Sequence, residues 1–478
     1  MPRRDRWADR VDARLGITLN EIFLKIPPAE ARAVFAAVER EAERASIVFE
    51  DDDGTTRTIP VMVRPRIIRP EQEQYFHKVC LEVTRAIEKL ARLYTEDERV
   101  RALLPFTERE ERWLRDIWAK VGRQPQTVVA RLDANADFGA VDWDKSFHFF
   151  ETNSVGVGGM YYAPACADIV LKSVVPKMKK VAPALLLKPQ DDMRQLLLEQ
   201  ITTHARATRK RRLNTAFVQD KSLFGGPNEF PFLVDYFEKN GVPAIQVDPL
   251  DLRVKGDELY AGDQPVDLVY RDAEIGEYLD YEDEGHDVSA LKTAFLRNQV
   301  VSSMAGEFDH KSTFEVLTSP ELAGHFTLKQ RRIFKRHVLW TRIVRETRST
   351  GPDDEEIDLV PWLRRNKDTV VLKPNRSFGG MGIVVGPHVD LDTWDAALKQ
   401  ALEDSEDTGG VVAQRYVEVR TKDFPVLSAD GDLTLEEFYV VCGFLATPRG
   451  VGILGRASKR RVVNVGQKGG LTAVLVWV

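Results

Sequence analysis

Cysteine is scarce: there are three in 478 residues, Cys80, Cys166 and Cys442, far apart and with no histidine or cysteine at ligand spacing around them. A disulfide framework and a structural zinc site are thereby excluded, and the three read as ordinary thiols of a reducing cytoplasm. The Gly-Lys dipeptide is missing altogether, so the GxxxxGK[ST] phosphate loop cannot be present. The charged start, MPRRDRWADR, leads into no apolar stretch, and nowhere is there an apolar run of about 18 residues. Neither secretion nor membrane spanning is expected. Positive charge is not in excess either: 68 Lys and Arg face 74 Asp and Glu, a net charge of -6. That argues against nucleic acid as the main partner, and the basic runs at 209–212 and 459–461 read as solvated or phosphate-facing surface. The eight histidines form no cluster, and no Ser/His/Asp or Cys/His nucleophile is evident.

What is present is a chain with 43% hydrophobic residues, long enough for substantial cores and about three domains. Residues 1–125 read as mainly helical. Phe76, Val79, Val83, Ile87, Leu90 and Leu93 recur at three- and four-residue intervals, an apolar stripe whose ordinary meaning is core packing. Thr95 with Glu98, and Thr107 with Glu110, each fit a capping box, so a helix is expected to begin at each. From Thr127 the texture becomes β-like: TVVARLD and SFHFFETN read as two strands joined by a polar loop. Between 195 and 305 helix and strand alternate, through TAFVQD, FPFLVDYFEKN, PAIQVD and VDLVYR, which predicts a small parallel-sheet unit. The acidic segments 278–287 and 352–358 read as exposed loops.

The strongest local signal is VVLKPNRSFGGMGIVVG, residues 370–386. Here a strand delivers Lys373 to the mouth of a glycine loop, where free backbone N–H groups and an ammonium can hold a polyphosphate. A second signal lies upstream. Strand alternation puts Arg131 and Asp133 on one face of the first strand, and Glu151 and Asn153 on one face of the second. If the strands pair, two carboxylates and an amide oxygen converge, hard ligands of the kind Mg²⁺ prefers. An ordinary polar surface hairpin is the competing reading. Gly450, Gly452 and Gly455 spell GxGxxG, but too little chain follows for a dinucleotide-binding unit. They read as a turn between two strands, and the GQKGG loop at 466–470 as a hairpin turn or the edge of a site.

FFETNSVGVGGM resembles the E-x-N metal signature of the circularly permuted ATP-grasp proteins, a group that includes glutathionylspermidine synthetases, eukaryotic-type glutathione synthetases and bacterial families of open function. PVMVRPRIIRP, VDLVYRD, NQVVSSMAGEFDHKSTFEVL, LKPNRSFGGMG, VVAQRYVEV and RVVNVGQKGG each resemble a segment of that family, in its order, with the metal strands ahead of the ATP lysines. The resemblance implies an α/β fold of permuted ATP-grasp type. In it, 126–194 carries the metal strands, 195–305 is a Rossmann-like substrate domain, and 306–478 forms the nucleotide-binding lobes with a glycine-rich lid. It implies Mg²⁺ at Asp133, Glu151 and Asn153, and Arg131 steadying the transferring phosphoryl group. ATP would lie on Lys311 and Lys373 beneath Gly379, Gly380 and Gly382. Its adenine would be read by Gln414, Arg415, Tyr416 and Val417, and its ribose by Glu436 or Glu437. Arg271 and Asn464 match positions near the site. One departure is plain: eukaryotic glutathione synthetases carry a glutamate metal ligand in the glycine loop, where this chain has Asn375, Arg376 and Ser377.

The chemistry expected of such a site is ATP-dependent ligation of a carboxylate to an amine through an acyl phosphate. Positioning and charge neutralisation supply most of the rate in such phosphoryl transfer. The substrates expected are small or peptide-like acids and amines, in the cytoplasm. The alternatives are a kinase acting from the same nucleotide site and a nucleotide-binding regulatory protein without turnover.

Overall fold

The computed structural model describes residues 15–478 apart from 52, 211, 221–225, 378, 404–408, 429, 462, 464, 465 and 467. Its centre is an eight-stranded sheet in the order Val61–Ile68, Gly470–Trp477, Gly450–Ser458, Leu433–Thr447, Arg131–Asn135, His148–Asn153, with Thr421–Leu427 and Leu187–Pro189 joined at the sides. Every pairing is antiparallel except that of Val61–Ile68 with Gly470–Trp477. The central strands are apolar at consecutive positions because both faces of the sheet are covered. Phe444, Ile453 and Val474 enter one core together with Phe76 and Val83. Their neighbours Leu445, Leu454 and Leu475 enter a second core with Val34 and Tyr162. Strand alternation thus divides one sheet between two hydrophobic cores.

Several local expectations meet a different outcome. The N-terminal region is largely helical, but it also contributes Val61–Ile68 to the sheet, paired with residues some four hundred positions later. The predicted stripe is buried throughout, though it runs over two helices, Pro70–Ile87 and Leu90–Glu96. Thr107 caps Glu108–Val121 in a complete capping box with Glu110. Thr95 caps nothing: it lies inside the preceding helix with its hydroxyl on the Ala91 carbonyl, and Asp97 caps the next helix by accepting from the Arg99 N–H. The acidic segment from Tyr278 belongs in part to the helix Ile275–Asp283, with Tyr278 fully buried. In the segment 352–358, Glu356–Asp358 forms a hairpin strand with Arg348–Thr350.

The GxGxxG segment is no turn. It lies within the buried strand Gly450–Ser458, against which the helix Met193–Ala207 is seated so closely that a Cβ on Gly452 would come within 2.2 Å of the Met193 Cγ. Glycine there serves close packing, as it does elsewhere within strands.

Among the described residues, two four-stranded sheets flank the central one, beside three smaller sheets of two or three strands. Between 195 and 305 four parallel strands run in the order Val300–Val301, Leu268–Arg271, Thr215–Val218, Ala244–Val247. The helix Phe230–Lys239 supplies the crossover that a parallel neighbour requires. A third, antiparallel sheet joins Thr341–Ile343, Val411–Arg415, Val370–Pro374 and Val384–Val385, over its own core of Trp340, Leu363, Trp394 and Leu398. This sheet carries Lys373 to the edge of the central one.

Candidate active site

Arg131–Asn135 and His148–Asn153 pair antiparallel, with Arg131 opposite Asn153 and Asp133 opposite Glu151. The four polar side chains therefore meet on one face, as alternation requires. Asp133 is 3% exposed and gripped from two sides. Arg131 donates from Nε to its Oδ1 at 2.8 Å and from Nη2 to its Oδ2 at 3.1 Å, while Arg456 donates from Nη2 to Oδ2 at 2.7 Å. Burial pushes the Asp133 carboxyl up, but the two guanidinium groups outweigh it and hold the group below the usual carboxylate range. Gly443 lies directly across the sheet from Asp133. A Cβ there would sit 2.5 Å from Arg131 Cδ and 2.7 Å from Asp133 Oδ1, so only glycine leaves room for the fork.

With both oxygens of Asp133 occupied by arginine, Glu151 is the open carboxylate of the hairpin. It makes no salt bridge among the described residues, and its negative charge acts on Lys373 through space. Asn153 uses its amide nitrogen on the Arg131 carbonyl at 3.5 Å. Among the described residues no group of three His, Cys, Asp or Glu is arranged to hold a metal by itself. The donor set nevertheless fits Mg²⁺, which takes one or two protein carboxylates and completes its shell with phosphate and water. Glu151 and Asn153 would hold it, with Asp133 beside them balancing the arginines.

Lys373 is 8% exposed, its Nζ 2.8 Å from Gln414 Oε1 and 5.3 Å from the centre of the Phe150 ring. Burial, together with repulsion from Lys311, lowers its pKa to about 8 against the support of Glu151 and Asp133. Gln414 is set in turn by its Nε2, which donates to the Phe150 carbonyl at 3.2 Å and to Thr341 Oγ1 at 3.0 Å. Around them is a cleft of about 180 Å³ lined by Asp133, Glu151, Lys373, Gly379, Gly380 and the run Gln414–Val419, with Tyr439, Arg456 and Arg461. Gly379, Gly380 and Gly382 have φ of 73°, 76° and 69°, the left-handed conformation that other residues adopt at a cost.

Lys311 lies beneath this loop rather than in the cleft lining, its Nζ donating to the Ser377 carbonyl at 2.6 Å. Asn375 is fully buried and acts as a staple: its Oδ1 accepts from the Ser312 N–H, and its Nδ2 donates to the Gly409 carbonyl. The loop segment Asn375–Ser377 thus braces structure and offers no carboxylate to a metal.

Three predicted residues lie elsewhere. Arg271 is buried against Glu307, with its Nη1 on the Ala273 carbonyl at 2.5 Å and its guanidinium 4.9 Å from the Phe295 ring. Glu307 in turn accepts from the Ile275 N–H. Arg271 is a structural ion-pair partner outside the cleft. Glu436 pairs with Lys459, and Glu437 accepts from the Thr421 hydroxyl at 3.0 Å. The start of their strand, Leu433–Thr447, is occupied by its neighbour Thr421–Leu427, so neither lines the cleft. Glu418 does. Asn464 falls outside the described residues. Arg456, Gly443 and Glu418 were not anticipated; the signal for Arg456 was a lone cation in the otherwise apolar strand GVGILGRAS.

Past Asp133, Glu151, Gly379 and Arg456 the cleft opens into a second space, which also contains Arg131, Asn153, Gly158, Glu229 and Asp272. It continues into a chamber of about 500 Å³ at the C-terminal edge of the parallel sheet. The charged residues described in that chamber are Glu50, Asp220, Glu229, Asp272 and Glu277, all acidic. The donors to two of them are neutral among the described residues: Glu229 takes the N–H groups of Gly159, Tyr161 and Tyr162, and Asp272 takes the Gln219 amide at 2.8 Å. Burial raises the carboxyls of Glu229, Asp272 and Glu277.

The whole architecture is similar to that of a glutathione synthetase-like effector from Globodera pallida, solved without ligand, with a TM-score of 0.60 at 11% identity over 94% of this chain and 97% of that one. The fold is glutathione synthetase-like. It is a mixed α/β architecture. A D-alanyl-alanine synthetase from Vibrio cholerae aligns with half of the chain at 12% identity and a TM-score of 0.25. No family model and no curated protein sequence matches the chain. Among the described residues no helix is long and apolar enough to cross a membrane.

Proposed function

We propose that this protein is an ATP- and Mg²⁺-dependent carboxylate–amine ligase on a circularly permuted ATP-grasp fold. The observation that carries the reading is a single cleft in which Lys373, Glu151, the glycine loop and the strand end at Gln414–Val419 meet, and which opens past Asp133 and Arg456 into a second chamber. The first space suits a nucleotide. Its apolar wall of Leu339, Val371, Val385 and Val441 takes the base, backbone groups of 415–418 read its edge, and Glu418 rather than Glu436 or Glu437 meets the ribose. Lys373 and the glycine N–H groups take phosphate oxygens. Bound at Glu151 and Asn153, Mg²⁺ would neutralise charge on the transferring phosphoryl group.

The reaction follows from the placement of the charges. A carboxylate oxygen of the acid substrate, beside Arg131 and Arg456, attacks the terminal phosphorus of ATP. The P–O bond to ADP breaks, and an acyl phosphate forms. An amine then attacks the carbonyl carbon, the C–O bond to phosphate breaks, and the nitrogen loses its proton. The amine is assigned to the chamber beyond, where the acidic lining attracts an ammonium, and where carboxyls raised by burial are suited to accept that proton. The parallel-sheet unit 195–305 supplies much of this lining, which supports its assignment as the substrate domain. The cytoplasm, where ATP is abundant, is the compartment this reading requires.

Hydroxylamine trapping tests the proposal. With ATP and a panel of carboxylic acids, hydroxamate formation coupled to ADP release is the expected result. ADP release with a phosphorylated alcohol and no hydroxamate would establish the kinase instead.

A further inference from the structure

Arg376 stands between Lys373 and the glycines, yet its side chain leaves the cleft. It passes over the Phe106 ring at 5.1 Å and ends in a fork on Glu110, with Nη1 to Oε2 at 2.9 Å and Nη2 to Oε1 at 2.5 Å. The same Nη2 lies 3.5 Å from Glu274 Oε2. Glu110 is the capping-box glutamate of Glu108–Val121, so it is held from behind by Thr107. Glu274 lines the space that contains Arg131, Asp133 and Glu151. Burial and the nearby Glu307 and Asp309 raise the Glu274 carboxyl well above the ordinary range, and Arg376 is the one cation paired with it among the described residues. The stem of Arg376 is confined as well, since a Cβ on Gly409 would come within 2.9 Å of its Cδ. Phe106, Glu110, Glu274 and Gly409 all belong to elements other than the glycine loop.

We propose that Arg376 is a positioning residue that fixes the glycine loop against the N-terminal helix Glu108–Val121 and the wall of the substrate space. The loop's hold on nucleotide phosphates then depends on an ion pair made outside the cleft. A bidentate guanidinium–carboxylate pair has the directionality for this, which a single point charge lacks. The guanidinium links three parts of the chain that lie far apart in sequence, Glu110 being 266 positions and Glu274 102 positions from Arg376.

Two measurements test it, and only the second rests on the nucleotide reading above. In the ligand-free protein, Arg376→Met is expected to raise amide hydrogen exchange across residues 379–382 about tenfold, the loss of one charge-assisted pair, with exchange in Val370–Pro374 unchanged. Arg376→Lys, which restores the charge but not the fork, should recover part of that protection. Arg348→Met, which breaks an exposed pair with Glu356, should leave the loop unaffected. In the second measurement, affinity for Mg²⁺ with the non-hydrolysable ATP analogue AMP-PNP should fall about tenfold in Arg376→Met and recover in part in the lysine variant. Should the methionine variant fail to fold, Glu110→Gln removes the charge of the partner while keeping a residue able to complete the capping box. Loop exchange equal to that of the unaltered protein in Arg376→Met, or in Glu110→Gln if that variant stands in, overturns the proposal. Raised exchange in a protein that binds no nucleotide in its unaltered form upholds the tether and removes the ligase reading.

Discussion

Replacing Arg456 by methionine removes one of the two cations that hold Asp133, while leaving most of the apolar stem. The lost bond is short, 2.7 Å, and joins an arginine 9% exposed to an aspartate 3% exposed. Removing one partner of a buried ion pair costs about 3–5 kcal/mol when the other is orphaned. Asp133 keeps the Arg131 fork, so the smaller value for a hydrogen bond to a charged group applies, about 1.5–3 kcal/mol. Urea unfolding at pH 7 should therefore show a loss of about 2 kcal/mol. Its pH dependence separates the cause. The folded pKa of Asp133 lies below its unfolded value of about 3.9, so the stability it contributes is present above that value and lost as pH falls through the folded pKa. Without Arg456 the folded pKa rises toward the unfolded value. The deficit of the variant should thus be full at neutral pH and shrink on acidification below about pH 4. A deficit that stays constant down to acid pH would mean that Arg456 acts through packing, and a variant as stable as the parent at pH 7 would refute the account of the fork altogether.

Lys373→Met should weaken binding of Mg²⁺ and AMP-PNP and, in any turnover assay, cost about 3 kcal/mol of transition-state stabilisation, roughly a hundredfold in rate. In the unaltered protein, nucleotide affinity should decline as pH rises through about 8, where Lys373 loses its proton, with no such limb in the methionine variant. Gly443→Ala forces a Cβ into the Arg131–Asp133 fork and should destabilise by about 1–3 kcal/mol, the ordinary range for overpacking, as read by chemical denaturation. Arg271→Met strands Glu307 in the interior and should cost about 3–5 kcal/mol of stability, yet leave nucleotide affinity unchanged at temperatures where the variant is folded. Glu418→Gln should weaken AMP-PNP binding by about 1 kcal/mol while Glu436→Gln leaves it unaltered, both measured by calorimetry.

Features that depend on neighbours a few positions apart were legible before any folding was known. Strand alternation placed Arg131, Asp133, Glu151 and Asn153 on converging faces, and the hairpin pairs them as that period requires. The Thr107 and Glu110 spacing is a capping box in both readings, and the alternation after residue 195 is a parallel sheet. The same rule misled at Thr95, because a stronger cap, Asp97, stood two residues further on. Other assignments rest on contacts that no local period encodes. Arg456 reaches Asp133 across 323 positions of chain, and Val61–Ile68 meets Gly470–Trp477 only because the sheet brings them together. Arg271, Glu436 and Glu437 left the site because a buried carboxylate, a lysine and a hydroxyl from other elements reached them first. The identity of a residue and its spacing say which chemistry it can do. The register and packing of distant strands decide whether its charge faces a substrate or is neutralised within the protein, since a buried charge must be paired wherever the fold leaves it.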